Sequence, residues 1–204
     1  RQTISDALTH SEVNIGLKTA DSVLTGTVND EYVGGDLSDV TGGTSLSLEN
    51  NATWNVTGDS NVSNVTSDNG VIETNGNQLT ANNITNHEGG TTIETSSGKA
   101  NQIRIRQVKG DGLNIHLTDD ATQELDANNP EESLAAVANI ENSDAGYSIT
   151  SDEAGVLGDM QLVMDEKGNV VSFTEKANTV NEGLQDIAAS NYLFFRSSMN
   201  DVNK

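Results

Sequence analysis

The chain has 204 residues, with 31 acidic against 10 basic side chains and a formal net charge of −21. That field repels nucleic-acid phosphates and anionic lipid headgroups, so neither is an expected direct partner. The lack of cysteine excludes disulfides and thiolate metal sites, and one proline with 3% aromatics argues against an ordinary globular enzyme core.

Acidic excess is also a common solubility device. No apolar run is long enough to span a bilayer, and no signal peptide is visible. The chain opens on Arg1 rather than an initiator Met, which reads as a fragment of a longer protein.

From Val13 to Thr118 one theme repeats. Short alternating runs stand at Val13–Leu17, Ser45–Leu48, Trp54–Val56, Gly70–Thr74, Leu79–Ile84, Thr91–Thr95, Ile103–Val108 and Leu113–Leu117. Gly, Asn, Asp or Ser bounds each, as strands separated by tight turns require. Two architectures fit that spacing, a β-sandwich and a parallel β-helix. The pairs Asn69-Gly70, Asn75-Gly76 and Asp111-Gly112 favour antiparallel hairpins when taken alone. Abundant Asn, able to form ladders between stacked coils, and a small-residue, aromatic-poor composition suit the solenoid.

Residues 119–176 change character. Asp120 with Gln123, and Asn129 with Pro130 and Glu132, read as helix starts, and Leu134, Val137 and Ala138 give one short apolar face. Met160–Met164 and Val170–Phe173 flank the turn sequence Asp165–Asn169 as a hairpin. The final stretch, 177–204, places Val180, Leu184, Ile187, Ala188, Phe195, Met199 and Val202 at helical steps.

Catalytic chemistry finds little support. His10, His87 and His116 have no local Ser or carboxylate order of a triad, and His116 alternates with Ile115 and Leu117 toward solvent. The acidic pairs Asp119-Asp120, Glu131-Glu132 and Asp152-Glu153 read as helix-start or loop charges. Gly34–Asp39 is a single defective copy of a calcium-binding nonapeptide. Arg104 and Arg106 share one strand face beside Gln102 as a solvated ladder or junction contact. The Asn-x-Ser/Thr sequons at Asn51, Asn55, Asn61, Asn64 and Asn83 matter only in a eukaryotic secretory setting. No cofactor is implied.

The closing string FFRSSMNDVNK (Phe194–Lys204) resembles the linker that precedes the first barrel strand of autotransporters, outer-membrane proteins of type V secretion. VNIGLKTADSVLTGTV (13–28) and SLSLENNATWNVTGDSNVSNVTSDNGVIET (45–74), with Ala52-Thr53-Trp54, resemble late rungs of such a passenger, and Gly89–Ile93 and Asn101–Ile105 resemble the coils that follow. Tyr192–Phe195 and Ser197-Ser198 depart from the more polar neighbours usual near that Arg.

The resemblance implies a mainly β protein: a right-handed parallel β-helix with a C-terminal capping module and a terminal α-helix. Residues 1–118 would be late β-helix coils, 119–176 an autochaperone-like junction, and 177–204 a linker helix entering a β-barrel. It implies Trp54, Ile72, Ile93, Ile103 and Leu113 as the folding core, and Leu184, Ile187, Phe195, Arg196, Met199 and Asn200 as the linker helix. The partners would be the protein's own barrel and the barrel-assembly machinery, at a bacterial cell surface. Asn200-Asp201 is a divergent form of the Asn–Asn step at which some relatives cleave themselves; otherwise no enzymatic activity is expected. An adhesin binding host glycans or neighbouring cells, and a β-helical polysaccharide enzyme, are the alternatives.

Overall fold

The structure, a computed structural model, describes residues 12–30, 43–152 and 159–175. It is mainly β. One sheet has six strands: β1 (Glu12–Leu17), β3 (Gly43–Glu49), β5 (Ser60–Asp68), β7 (Leu79–Asn86), β9 (Ile103–Lys109) and β11 (Ala138–Ser143). The other has eight: β2 (Val23–Gly26), β4 (Thr53–Val56), β6 (Gly70–Glu73), β8 (Thr91–Thr95), β10 (Leu113–Leu117), β12 (Tyr147–Ser151), β13 (Met160–Met164) and β14 (Val170–Glu175). Through β12, consecutive strands alternate between the sheets and every pairing is parallel. Only β12–β13 and β13–β14 pair antiparallel. Two face-packed antiparallel layers are therefore excluded.

The Asn-Gly pairs explain the difference from a hairpin reading. Asn69 stands between β5 and β6 at φ 63°, and Asn50 and Asn51 hold positive φ between β3 and β4. Such a residue turns the chain across to the other sheet instead of folding it back on its neighbour. The corners also stack: Asn51 N donates to Asn69 O at 2.8 Å, and Asn69 N donates to Gly90 O at 2.9 Å. Short polar side chains fix them. Ser67 Oγ accepts from Gly70 N at 3.0 Å, and Ser143 Oγ accepts from Gly146 N at 3.1 Å at an equivalent corner.

Alternation puts one side-chain set inside. Leu46, Leu48, Val62, Val65, Leu79, Ile84, Ile103, Ile105 and Val108 of one sheet meet Trp54, Val56, Ile72, Ile93, Ile115, Leu117 and Ile149 of the other in a single core. Full burial of each Leu or Ile contributes about 1.5–3 kcal/mol, which offsets the ordering of these short strands.

Several sequence expectations need correction. Helix α1 (Asp119–Gln123) is capped by Thr118, whose hydroxyl accepts from Ala121 N, so Asp120 is inside the first turn and is not its cap. Helix α2 (Pro130–Ala136) does begin at proline after Asn129, but the Asn129 amide donates to Asp126 Oδ2 at 3.1 Å and leaves the helix uncapped by a side chain. Leu134 and Val137 are buried, whereas Ala138 already belongs to β11. Gln102 is buried before β9 begins, while Arg104 and Arg106 are exposed, so the three do not share a face. The strands β2, β5, β11 and β12 had no counterpart among the alternating runs, and β11 and β12 extend the two sheets by one further pair within 119–176.

Candidate functional site

The eight-stranded sheet carries a continuous apolar column. Leu24, Trp54, Ile72, Ile93, Ile115, Ile149, Leu162 and Phe173 stand in register on successive strands. Three of the expected core residues, Trp54, Ile72 and Ile93, are thus direct neighbours. Trp54 is fully buried, and its indole Nε1 donates to Gly26 O at 3.1 Å, so its one polar atom is satisfied. Leu113 lies on β10 two residues before the column and pairs with Thr91. Ile103 belongs to the opposite sheet, in register with Leu79 and Ala138.

The two ends of this stack differ. At the β1/β2 end, Ile15, Leu17, Leu24 and Val28 are only partly buried, and Val13 and Val23 are 54% and 55% exposed. Among the described residues β1 pairs only with β3 and β2 only with β4, so each presents one open backbone edge. At the other end the β13–β14 hairpin reverses strand direction and α2 packs on β13. Buried Asp30 braces the open end: its Oδ2 accepts from Thr44 N and from Ser63 Oγ, both at 2.6 Å.

Outside, the six-stranded sheet shows the Asn ladder anticipated from composition. Asn14, Ser45, Asn64, Asn83, Gln107 and Asn142 are in register, with Asn83 Nδ2 donating to Asn64 Oδ1 at 3.1 Å and Asn64 Nδ2 to Ser45 Oγ at 3.3 Å. The eight-stranded sheet carries a cluster that sequence order alone did not reveal. His116 Nδ1 lies 3.0 Å from Thr150 Oγ1, and Nε2 lies 3.0 Å from Asp152 Oδ2. Thr150 Oγ1 also lies 3.1 Å from Asn114 Oδ1, which accepts from Ser148 Oγ at 3.0 Å. The signal was the register of β10 on β12, invisible without the pairing. A hydroxyl shared between His116 and Asn114 is held in the sheet rather than presented to a substrate, so the cluster reads as a clasp between β10 and β12.

The hairpin turn has its own electrostatics. Hydrogen bonds from the Asn169 side chain and backbone, with further help from Lys167, hold the Asp165 carboxyl below the usual carboxylate range. Burial, then the nearby Asp165 charge, pushes the Tyr147 phenol up. The linker-helix residues Leu184, Ile187, Phe195, Arg196, Met199 and Asn200, the Asn200-Asp201 step and the Gly34–Asp39 segment lie outside the described residues.

Comparison with known protein families, with curated proteins and with solved structures finds no match to this chain.

Proposed function

We propose that the two parallel sheets are walls of a right-handed parallel β-helix, and that this helix is the C-terminal part of an autotransporter passenger. In this reading, the chain leaves through its own outer-membrane barrel as an unfolded hairpin. The part described above emerges early and folds first. Its β1 and β2 edges then serve as a template for the next coil, because each added coil closes two backbone ladders and covers a fresh apolar rim. The β13–β14 hairpin and α2 form the stopper at the membrane-proximal end. The protein's place is the bacterial cell surface.

The observation that carries this reading is the unlike pair of ends among the described residues: parallel edges at β1 and β2 with partly buried Ile15, Leu17 and Leu24, against an end where the eight-stranded sheet finishes in the reversed strands β13 and β14. Charge substitutions at Trp54, Ile72, Ile93, Ile103 and Leu113 test it in the full-length protein, because each introduces an unpaired charge into the buried core. Surface display of the upstream passenger, scored by protease shaving of intact cells, should fall sharply while the barrel still assembles. Unchanged display would remove the templating role.

A further inference from the structure

Strand β9 and the turn before it carry a local charge reversal. Four of the chain's ten Lys and Arg residues, Lys99, Arg104, Arg106 and Lys109, fall between positions 99 and 109, with no acidic residue among them. All four are exposed. Among the described residues no carboxylate lies within 4 Å of any of these four cations; the one such contact is His116 Nε2 to Asp152 Oδ2. The register sets Glu141 across from Arg106 and Asp144 next to Lys109, without an ion-pair contact, and leaves Arg104 between Thr80 and Asn139 with no acidic neighbour on either strand.

The surroundings define what could fit. Arg104 is flanked in register by Thr80 and Asn139, Gln107 by Asn83 and Asn142, and Lys109 by Thr85. Glu141, the one carboxylate in β7, β9 and β11, lies between the partners of Ile105 and Gln107 and so beside Arg106, and no aromatic residue occurs in the three strands. The surface therefore offers guanidinium forks for bidentate oxyanions, with amides and hydroxyls alongside that can bind sugar hydroxyls. It offers no stacking platform for nucleobases. The amides are held in place, since Gln107 Nε2 donates to Val108 O and Asn142 Nδ2 to Arg106 O, which lowers the ordering cost of binding. Arg104 and Arg106 point the same way about 6.6 Å apart, and the strip extends over roughly 15 Å to Lys109. The overall negative field does not forbid an anion here, because it is screened beyond about 8 Å at physiological salt.

We propose that the outer face of β7, β9 and β11 binds an anionic polysaccharide, with Arg104 and Arg106 gripping its carboxylate or sulfate groups and Asn83, Gln107, Asn139 and Asn142 its hydroxyls. This goes beyond the secretion role and does not depend on it.

The test uses the whole chain and fluorescence anisotropy with three labelled oligosaccharides: sulfated, uronate-bearing and neutral. Binding of at least one anionic probe is expected, weakening steeply as NaCl rises from about 0.05 to 0.3 M. The combined R104Q and R106Q variant should bind it about tenfold or more weakly, while Lys18→Gln, at a distant turn, stays within about twofold. The stronger of the two anionic probes identifies the acidic group recognised. If the double variant were misfolded by circular dichroism, the R104K and R106K pair replaces it, with a smaller loss expected from the lost fork. No binding, equal binding of the neutral probe, or an unchanged affinity in the variants would overturn the proposal. So would self-association that the double variant abolishes in sedimentation, which would assign the face to a second copy.

Discussion

Gly90 and Gly112 meet backbone to backbone at neighbouring corners: Thr91 N donates to Gly112 O at 3.1 Å, and a Cβ on Gly90 would collide with that same carbonyl. Gly90 also holds φ +67°, which side chains of L-residues rarely adopt. Gly90→Ala should cost about 2 kcal/mol or more, read from urea denaturation. Gly16→Ala is the control, because nothing lies within 4 Å of its Cβ position and its φ is ordinary. It should be neutral or stabilise by up to about 1 kcal/mol. Equal effects at both sites would refute the stacked-corner account.

Trp54 is the only tryptophan, so its emission reports one place in the core. A blue-shifted spectrum resistant to iodide quenching is expected from its complete burial. Trp54→Ala should cost about 3–5 kcal/mol, and Trp54→Phe less, because only part of the ring and the bond to Gly26 O are lost. A red emission maximum with easy quenching would contradict the burial.

The turn at Asp165 predicts opposite pH dependences on the two sides of neutrality. Asp165 is depressed by its hydrogen bonds, so its contribution is present above the ordinary carboxylate pKa of about 3.9 and is lost as pH falls through the lower folded value. Tyr147 is raised, so its contribution is complete below the ordinary phenol pKa of about 10 and is lost as pH rises through the higher folded value. Asp165→Asn should flatten the acid limb of a stability–pH curve and Tyr147→Phe the alkaline limb. Unaltered limbs in both variants would show that neither group is linked to folding.

At the clasp, Thr150→Val should cost about 1 kcal/mol, because His116 Nδ1 loses its partner and Asn114 keeps only Ser148. Thr150→Ser should restore most of it. Amide hydrogen exchange would show the loss at β10 and β12; protection unchanged in the Val variant would mean that the cluster does not hold these strands together.

Much of the fold was legible where the alternation is clean. TTIET and LNIHL coincide with β8 and β10, because each apolar or Thr position alternates with an outward polar one. β5 was not legible: its SNVSNVTSD reads as turn composition, and Val62 and Ser63 are both buried in succession, which breaks the two-residue period. β11 was hidden because Ala138 continues the helical spacing of Leu134 and Val137, and only pairing with β9 shows where the helix stops. The core residues Trp54, Ile72 and Ile93 could be picked individually, yet their alignment into one column is a property of register between strands. The same holds for His116: its partners lie 34 and 36 positions further along the chain, beyond any local pattern.

Asn-Gly steps are where proteins age chemically, as the following amide nitrogen attacks the asparagine side chain and closes a cyclic imide. At Asn69 that nitrogen is already engaged, since Gly70 N donates to Ser67 Oγ, and at Asn75 the departing amide is tethered to Asn55 Oδ1 and Val56 O. The folded polypeptide thus shields both positions from deamidation, and damage should accumulate during time spent unfolded. Peptide mapping after incubation with and without denaturant would register the contrast as isoaspartate at residues 69 and 75.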